Sequence, residues 1–151
     1  MTQIPKCTLV PTRFFDEKDP RCILSEIFPL EQTEKVSYIP VPQFDAVLVY
    51  AGEPVPVIYD MLGTLERCSE YNRILVSYSD EIVHIVIAQD SKLLLANSYP
   101  AVDFTTAEYF IFFAMKSLQL NPEISTITMM TPISAEEEMS LYRYFKSVEQ
   151  L

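Results

Sequence analysis

Glycine is nearly absent from this chain: Gly52 and Gly63 are the only two in 151 residues. Phosphate-cradling loops of the G-x-G-x-x-G and Walker types need glycine so that backbone N–H groups can approach the ligand. Neither pattern occurs, so a nucleotide site would have to be built another way. Basic residues are scarce too, 11 Lys plus Arg against 21 Asp plus Glu, for a net charge of -10. That balance repels nucleic-acid backbones unless a basic patch compensates. The nearest approach, Lys18 with Arg21, is diluted by Asp16, Glu17 and Asp19, and no nucleic-acid partner is expected. Cys7, Cys22 and Cys68 are odd in number and match no metal-ligand spacing; a reducing, cytoplasmic setting is expected. The first apolar run is short and broken by Pro5 and Pro11, unlike a signal peptide. The apolar segment Phe110–Met115 is far shorter than the roughly 20 residues of a spanning helix, so no membrane insertion is expected.

What the chain does have is apolar residues, 49% of the total, enough for a folded core. Its length suits one domain. The stretch ILVSYSDEIVHIVIAQDSKLLLANS, Ile74 to Ser98, contains three apolar runs separated by Ser79-Asp80-Glu81 and Gln89-Asp90-Ser91. β-branched residues dominate the first two runs, and breaks this short permit hairpins but not parallel crossovers. The spacing predicts an antiparallel meander of Ile74–Tyr78, Ile82–Ala88 and Lys92–Asn97. The middle strand is apolar on both faces, Val83, Ile85 and Ile87 on one and Ile82 and Val86 on the other. It therefore needs cover on both sides.

Before the meander, residues 6–10 read as an extended run, Arg21–Phe28 as a short helix, Lys35–Ile39 as a strand and Phe44–Tyr50 as a stronger one. Val57, Ile58, Met61, Leu62 and Leu65 recur at helix spacing, in a helix expected to reach Cys68, with Gly63 marking a close packing contact. After the meander, Phe104, Ala107, Ile111, Met115 and Leu118 predict a helix near Thr106–Leu118. Thr105 with Glu108 has capping-box spacing there, and Asp103 is the rival cap. Ser125–Met130 reads as a strand. Ser134 and Glu137 form a second capping-box pair, opening a helix over Ala135–Val148 with Met139, Tyr142, Phe145 and Val148 as its stripe. The order from Ile74 is β-β-β-α-β-α. The fold class expected is α/β, a ribonuclease-H-like mixed sheet of the kind that forms actin-like half-domains. An amino-terminal αβ segment, 1–68, precedes a core over 69–151.

Specific segments carry a family resemblance. TLVPTRFFD at Thr8–Asp16, the strand Val47–Tyr50, LLLANSYP at Leu93–Pro100 and AEYFIFFAMKSLQLNPE at Ala107–Glu123 resemble a Bacteroidetes family catalogued as domain of unknown function 3822. Its members in turn resemble pilus-assembly actin-like ATPases. The resemblance implies that family members are longer, with a further amino-terminal actin-like half. This chain would then be a single partial actin-like domain, the carboxy-terminal part of a member.

Actin-like ATPases hold phosphate at the hairpin between their first two strands, with an Asp and an adjacent Gly. The matching turn here is Tyr78-Ser79-Asp80-Glu81, where Glu81 stands in place of glycine. Ser79 and Asp80 are thus the candidate nucleotide contacts, and Asp80 the candidate metal contact. With the turn so acidic, no cofactor is expected and ATP binding by this chain alone is expected to be weak or absent. A metal-dependent nuclease would need Asp80, Asp103 and Glu108 to converge. His84, mid-strand, has no nucleophile placed beside it by any motif and reads as a packed strand residue. Asn97 and Ser98 read as tying down a turn. Nine Phe and nine Tyr favour contact with a protein partner or a second copy. Phe110, Phe113 and Tyr144 are the candidate interface residues. The functional expectation is a non-catalytic scaffold or interaction domain with a degenerate actin-like fold. The rivals are an ATPase whose cleft needs another segment or chain, and the nuclease.

Overall fold

The computed structural model describes residues 4–151. Their strands form two sheets. The meander is the centre of the larger one. Strands β4 (Asn72–Ser79), β5 (Ile82–Gln89) and β6 (Lys92–Pro100) pair antiparallel. Strand β7 (Thr126–Met129) lies parallel to β4, and β8 (Ser147–Gln150) lies parallel to β7. The five-stranded order is β6-β5-β4-β7-β8, the ribonuclease-H-like arrangement.

The double-sided β5 receives its two covers. Helix α3 (Phe104–Ser117) packs Ala107, Ile111 and Met115 against Val83, Ile85 and Ile87. On the other face, helix α2 (Val57–Leu65) packs Ile58, Met61 and Leu62 against Leu75 and Val86. Helix α2 also meets Leu48 and Tyr50 of a three-stranded sheet, which runs β1 (Cys7–Pro11), β3 (Ala46–Ala51), β2 (Val36–Val41). Helix α1 (Pro20–Ser25) closes that sheet's far face through Leu24 on Val10, Val47 and Val49. Helix α2 thus joins the two sheets through a core cluster that both share.

Several boundaries differ from the sequence reading. Helix α4 (Ala135–Tyr142) stops well short of Val148, and β8 follows it. The expected stripe is half right: Phe145 enters the core and Val148 packs against it, while Met139 and Tyr142 face solvent and Leu141, outside the stripe, is buried in their place. The backbone turns at Tyr144 and Phe145, whose N–H groups both bond the Leu141 carbonyl. β8 is then held on β7 by the paired hydroxyls of Thr126 and Ser147 and by Gln150 Nε2 donating to the Met129 and Thr131 carbonyls. Asp103, not Thr105 with Glu108, caps α3, whereas the Ser134–Glu137 capping box forms in both directions. Strand β3 begins after Phe44 because Asp45 takes a left-handed φ of 50° behind a 3-10 turn. Helix α1 ends at Ser25, well before Pro29, and α2 ends at Leu65. Gly63 faces solvent with open space around an added Cβ, so it marks no close contact.

Candidate functional site

The hairpin that would face a phosphate is built by register. Ser79 pairs with Ile82, leaving Asp80 and Glu81 as a two-residue loop. Their φ values are 52° and 60°, as a type I′ turn requires at both central positions. Asp tolerates this conformation because its short polar side chain can bond locally; Glu has no such relief. The Glu81 carbonyl accepts from the Ala101 N–H at 2.8 Å, pinning the turn to the start of α3.

Ser79 and Asp80 open onto a cleft of about 310 Å³ whose other wall is the β3–α2 connection, including Glu53, Pro54 and Pro56. Among the described residues, two carboxylates, Glu53 and Asp80, and no Lys or Arg line it. A polyphosphate entering would meet like charge and no cation. Apart from Ser79 and His84, the rest of the cleft wall is proline and aliphatic surface.

His84 lines the same cleft, is buried, and faces Ser77 on β4 and Ser98 on β6. Its Nδ1 lies 2.7 Å from Ser98 Oγ. Burial pushes the imidazole below its ordinary value of 6.5, so it is neutral at pH 7. No sequence motif marks this Ser–His contact; strand register alone brings the pair together, and Ser98 is a strand residue rather than a turn anchor. Ser98 itself is not part of the cleft wall. The pair therefore presents no hydroxyl to a ligand there.

The three carboxylates of the nuclease reading do not converge. Asp103 accepts from the Thr106 hydroxyl at 2.7 Å and its N–H at 2.8 Å, which holds it below the usual carboxylate range. Glu108 accepts from the Ser140 hydroxyl, and burial lifts its pKa. Asp80 sits apart in its turn. Among the described residues no group of three His, Cys, Asp or Glu side chains could hold a metal ion. Burial pushes the Cys7 thiol up to about 11 and raises that of Cys68, which leaves neither activated as a thiolate.

The aromatic candidates divide. Phe110 is half-buried and stacks on Tyr99 of β6, centroids 4.6 Å apart. Tyr109 meets Phe110 edge-on at 5.3 Å and stacks with Phe113 at 6.2 Å. The ladder Tyr99–Phe110–Tyr109–Phe113 thus climbs from the sheet edge to the outer face of α3, where Tyr109 is 61% and Phe113 54% exposed. Tyr144 is 50% exposed and leans on Phe112 at 4.6 Å, which in turn stacks on the core residue Phe145. Tyr109 was missed from sequence, although its spacing from Phe113 puts both on one helix face.

Among the described residues no helix is long and apolar enough to cross a membrane. No curated protein matches the sequence. A crystal structure from Bacteroides thetaiotaomicron, described as a protein with actin-like ATPase fold and unknown function, superposes with a TM-score of 0.80 at 17% identity. The match covers 97% of this chain and 65% of that one, so the chain spans about two-thirds of its neighbour's length. The likeness establishes the actin-like fold. A family model described as protein of unknown function (DUF3822) matches residues 55–148, from just before α2 into β8, and the chain belongs to that family.

Proposed function

We propose that this chain is a non-catalytic, cytoplasmic interaction domain, a scaffold that binds a protein partner or a second copy of itself. The observation that carries this reading is the exposed Tyr109–Phe113 pair crowning the α3 ladder. Aromatic surface of that kind is enriched at protein interfaces and costs solvation when left bare. Phe113 and Tyr144 offer the contact, and Phe110 supports it from below by its stack on Tyr99. The nucleotide site is read as degenerate: Glu81 occupies the glycine position of the turn, and Glu53 with Asp80 makes the cleft repel phosphate. Residues 1–68 are read as an amino-terminal αβ segment on a ribonuclease-H-like core of 69–151, together one partial actin-like domain. Light scattering across a concentration series, paired with hydroxyl-radical footprinting of Tyr109 and Phe113, tests the reading. A strict monomer with both rings protected would overturn it.

One feature supports a second reading, an ATPase whose cleft is completed by another segment or chain: Ser79 and Asp80 do open onto a cleft. Calorimetry with ATP and Mg²⁺ separates the two. No binding is expected, and a saturable micromolar affinity would select the ATPase and make Ser79 and Asp80 its contacts.

A further inference from the structure

We propose that β6 pairs antiparallel with β6 of a second copy, fusing two five-stranded sheets across a two-fold axis. This names the partner and the surface within the interaction-domain reading and rests on it. The first support is the contrast among sheet edges. β8 is four residues long and polar, with Gln150 folded back on Met129 and Thr131. β2 carries Pro40 in its interior, and β1 ends in Pro11 after five residues. Such short, proline-bearing or polar edges resist pairing. β6 has nine residues, its single proline is the last of them, and β5 is its one neighbour in the sheet. Leu93 to Ala96 are partly exposed along it and, with Thr8 and Leu9 of β1, line an open groove of about 290 Å³.

Charge is the second support. From Ser91 to Val102 the one charged residue is Lys92, in a chain of net charge -10. The register breaks between Ile87 and Ala88, so the regular part of β6 is Leu95–Pro100. An antiparallel seam over that part centres on Asn97 and Ser98 and sends the two Lys92 side chains to opposite ends. No like charges face each other across it.

The third support is continuity with the aromatic ladder. A two-fold axis normal to the sheet keeps both α3 helices on the same face. Because Phe110 rests on Tyr99 of β6, the two ladders flank the seam, and Tyr109 and Phe113 gain cover from their counterparts. Six strand residues at about 3.4 Å each make a seam of roughly 20 Å. Across a sheet and a helix layer, each about 10 Å deep, that buries on the order of 400 Å² per copy. Two half-exposed aromatics add roughly 200 Å². The sum lies below the ~800 Å² per partner of a standard interface, so the dimer is weak and concentration-dependent, and salt strengthens it by screening the acidic surfaces.

Sedimentation velocity of the full chain across concentration, with hydrogen exchange at both extremes, tests the seam. A monomer–dimer equilibrium is expected, with added protection at high concentration confined to the β6 amides. Asn97→Lys, at an exposed position, should melt like wild type yet dimerise several-fold more weakly, although it makes the chain, at a net charge of -10, less negative. A dimer unchanged by Asn97→Lys, or protection at β8 or α2 instead, overturns the seam. So does a monomer at every concentration. In that case footprinting decides what else falls: reactive Tyr109 and Phe113 rings leave the interaction-domain reading standing, and protected rings overturn it as well.

Discussion

Replacing Glu81 by glycine should stabilise the protein. Glu81 sits at φ 60° in a two-residue hairpin turn and is exposed. The left-handed conformation costs a non-glycine residue roughly 1–2 kcal/mol. Glycine relieves that cost, but its extra freedom in the unfolded chain takes back about 0.5–1 kcal/mol. The net gain for Glu81→Gly is therefore about 0.5–1 kcal/mol, or on the order of 2–3 °C in Tm for a chain of this size. Urea unfolding should show a higher midpoint at unchanged slope. Glu81→Ala is the control, because it removes the same carboxylate but keeps the Cβ. If Ala stabilises as much as Gly, the gain comes from charge near Asp80 and Glu53, and the backbone argument fails. A lowered midpoint for the Gly variant would refute it outright. The variant also restores a glycine to the phosphate-facing turn, yet ATP affinity should stay undetectable, because Glu53 and Asp80 still line the cleft.

Two further outcomes follow from the packing. Leu62 is fully buried on α2 between the two sheets; Leu62→Ala should cost about 2–5 kcal/mol. The melt should remain one transition reported alike by both sheets, and early loss of the three-stranded sheet alone would refute the role of α2 as common glue. His84 has a folded pKa below its unfolded value near 6.5 because burial disfavours the imidazolium. The unfolded chain therefore binds the proton first, and wild-type stability is full above pH 6.5 and falls as pH drops below it. Glu108, whose folded pKa is raised, acts in the opposite sense. The measurement is thus the difference between wild type and His84→Gln, which should shrink as pH falls from 7.5 to 5; a difference flat in pH would refute the assignment.

The meander was legible in the sequence because its signals are local. β-branched runs and three-residue polar breaks determine hairpins without reference to the rest of the chain, and the double apolar face of Ile82–Ala88 demands two covers wherever they come from. The caps at Asp103 and Ser134 are local too, each bonding an N–H three residues on. Of the segments that carried the family resemblance, Leu93–Pro100 and Ala107–Glu123 lie within the family match, and the neighbour has the actin-like fold. Distant contacts decided the rest. β8 has no periodic signal in Ser-Val-Glu-Gln; it is a strand because β7 offers an open edge and Thr126 meets Ser147 across 21 residues. Within α4 it is Leu141 that turns inward where the helical stripe favoured Met139 and Tyr142; Phe145, also in that stripe, is buried beyond the helix end. The His84–Ser98 contact spans 14 residues and exists by strand register. Phe110 and Phe113 are alike in sequence. They differ in the fold because the register of β6 carries Tyr99 beneath the first and leaves the second in water.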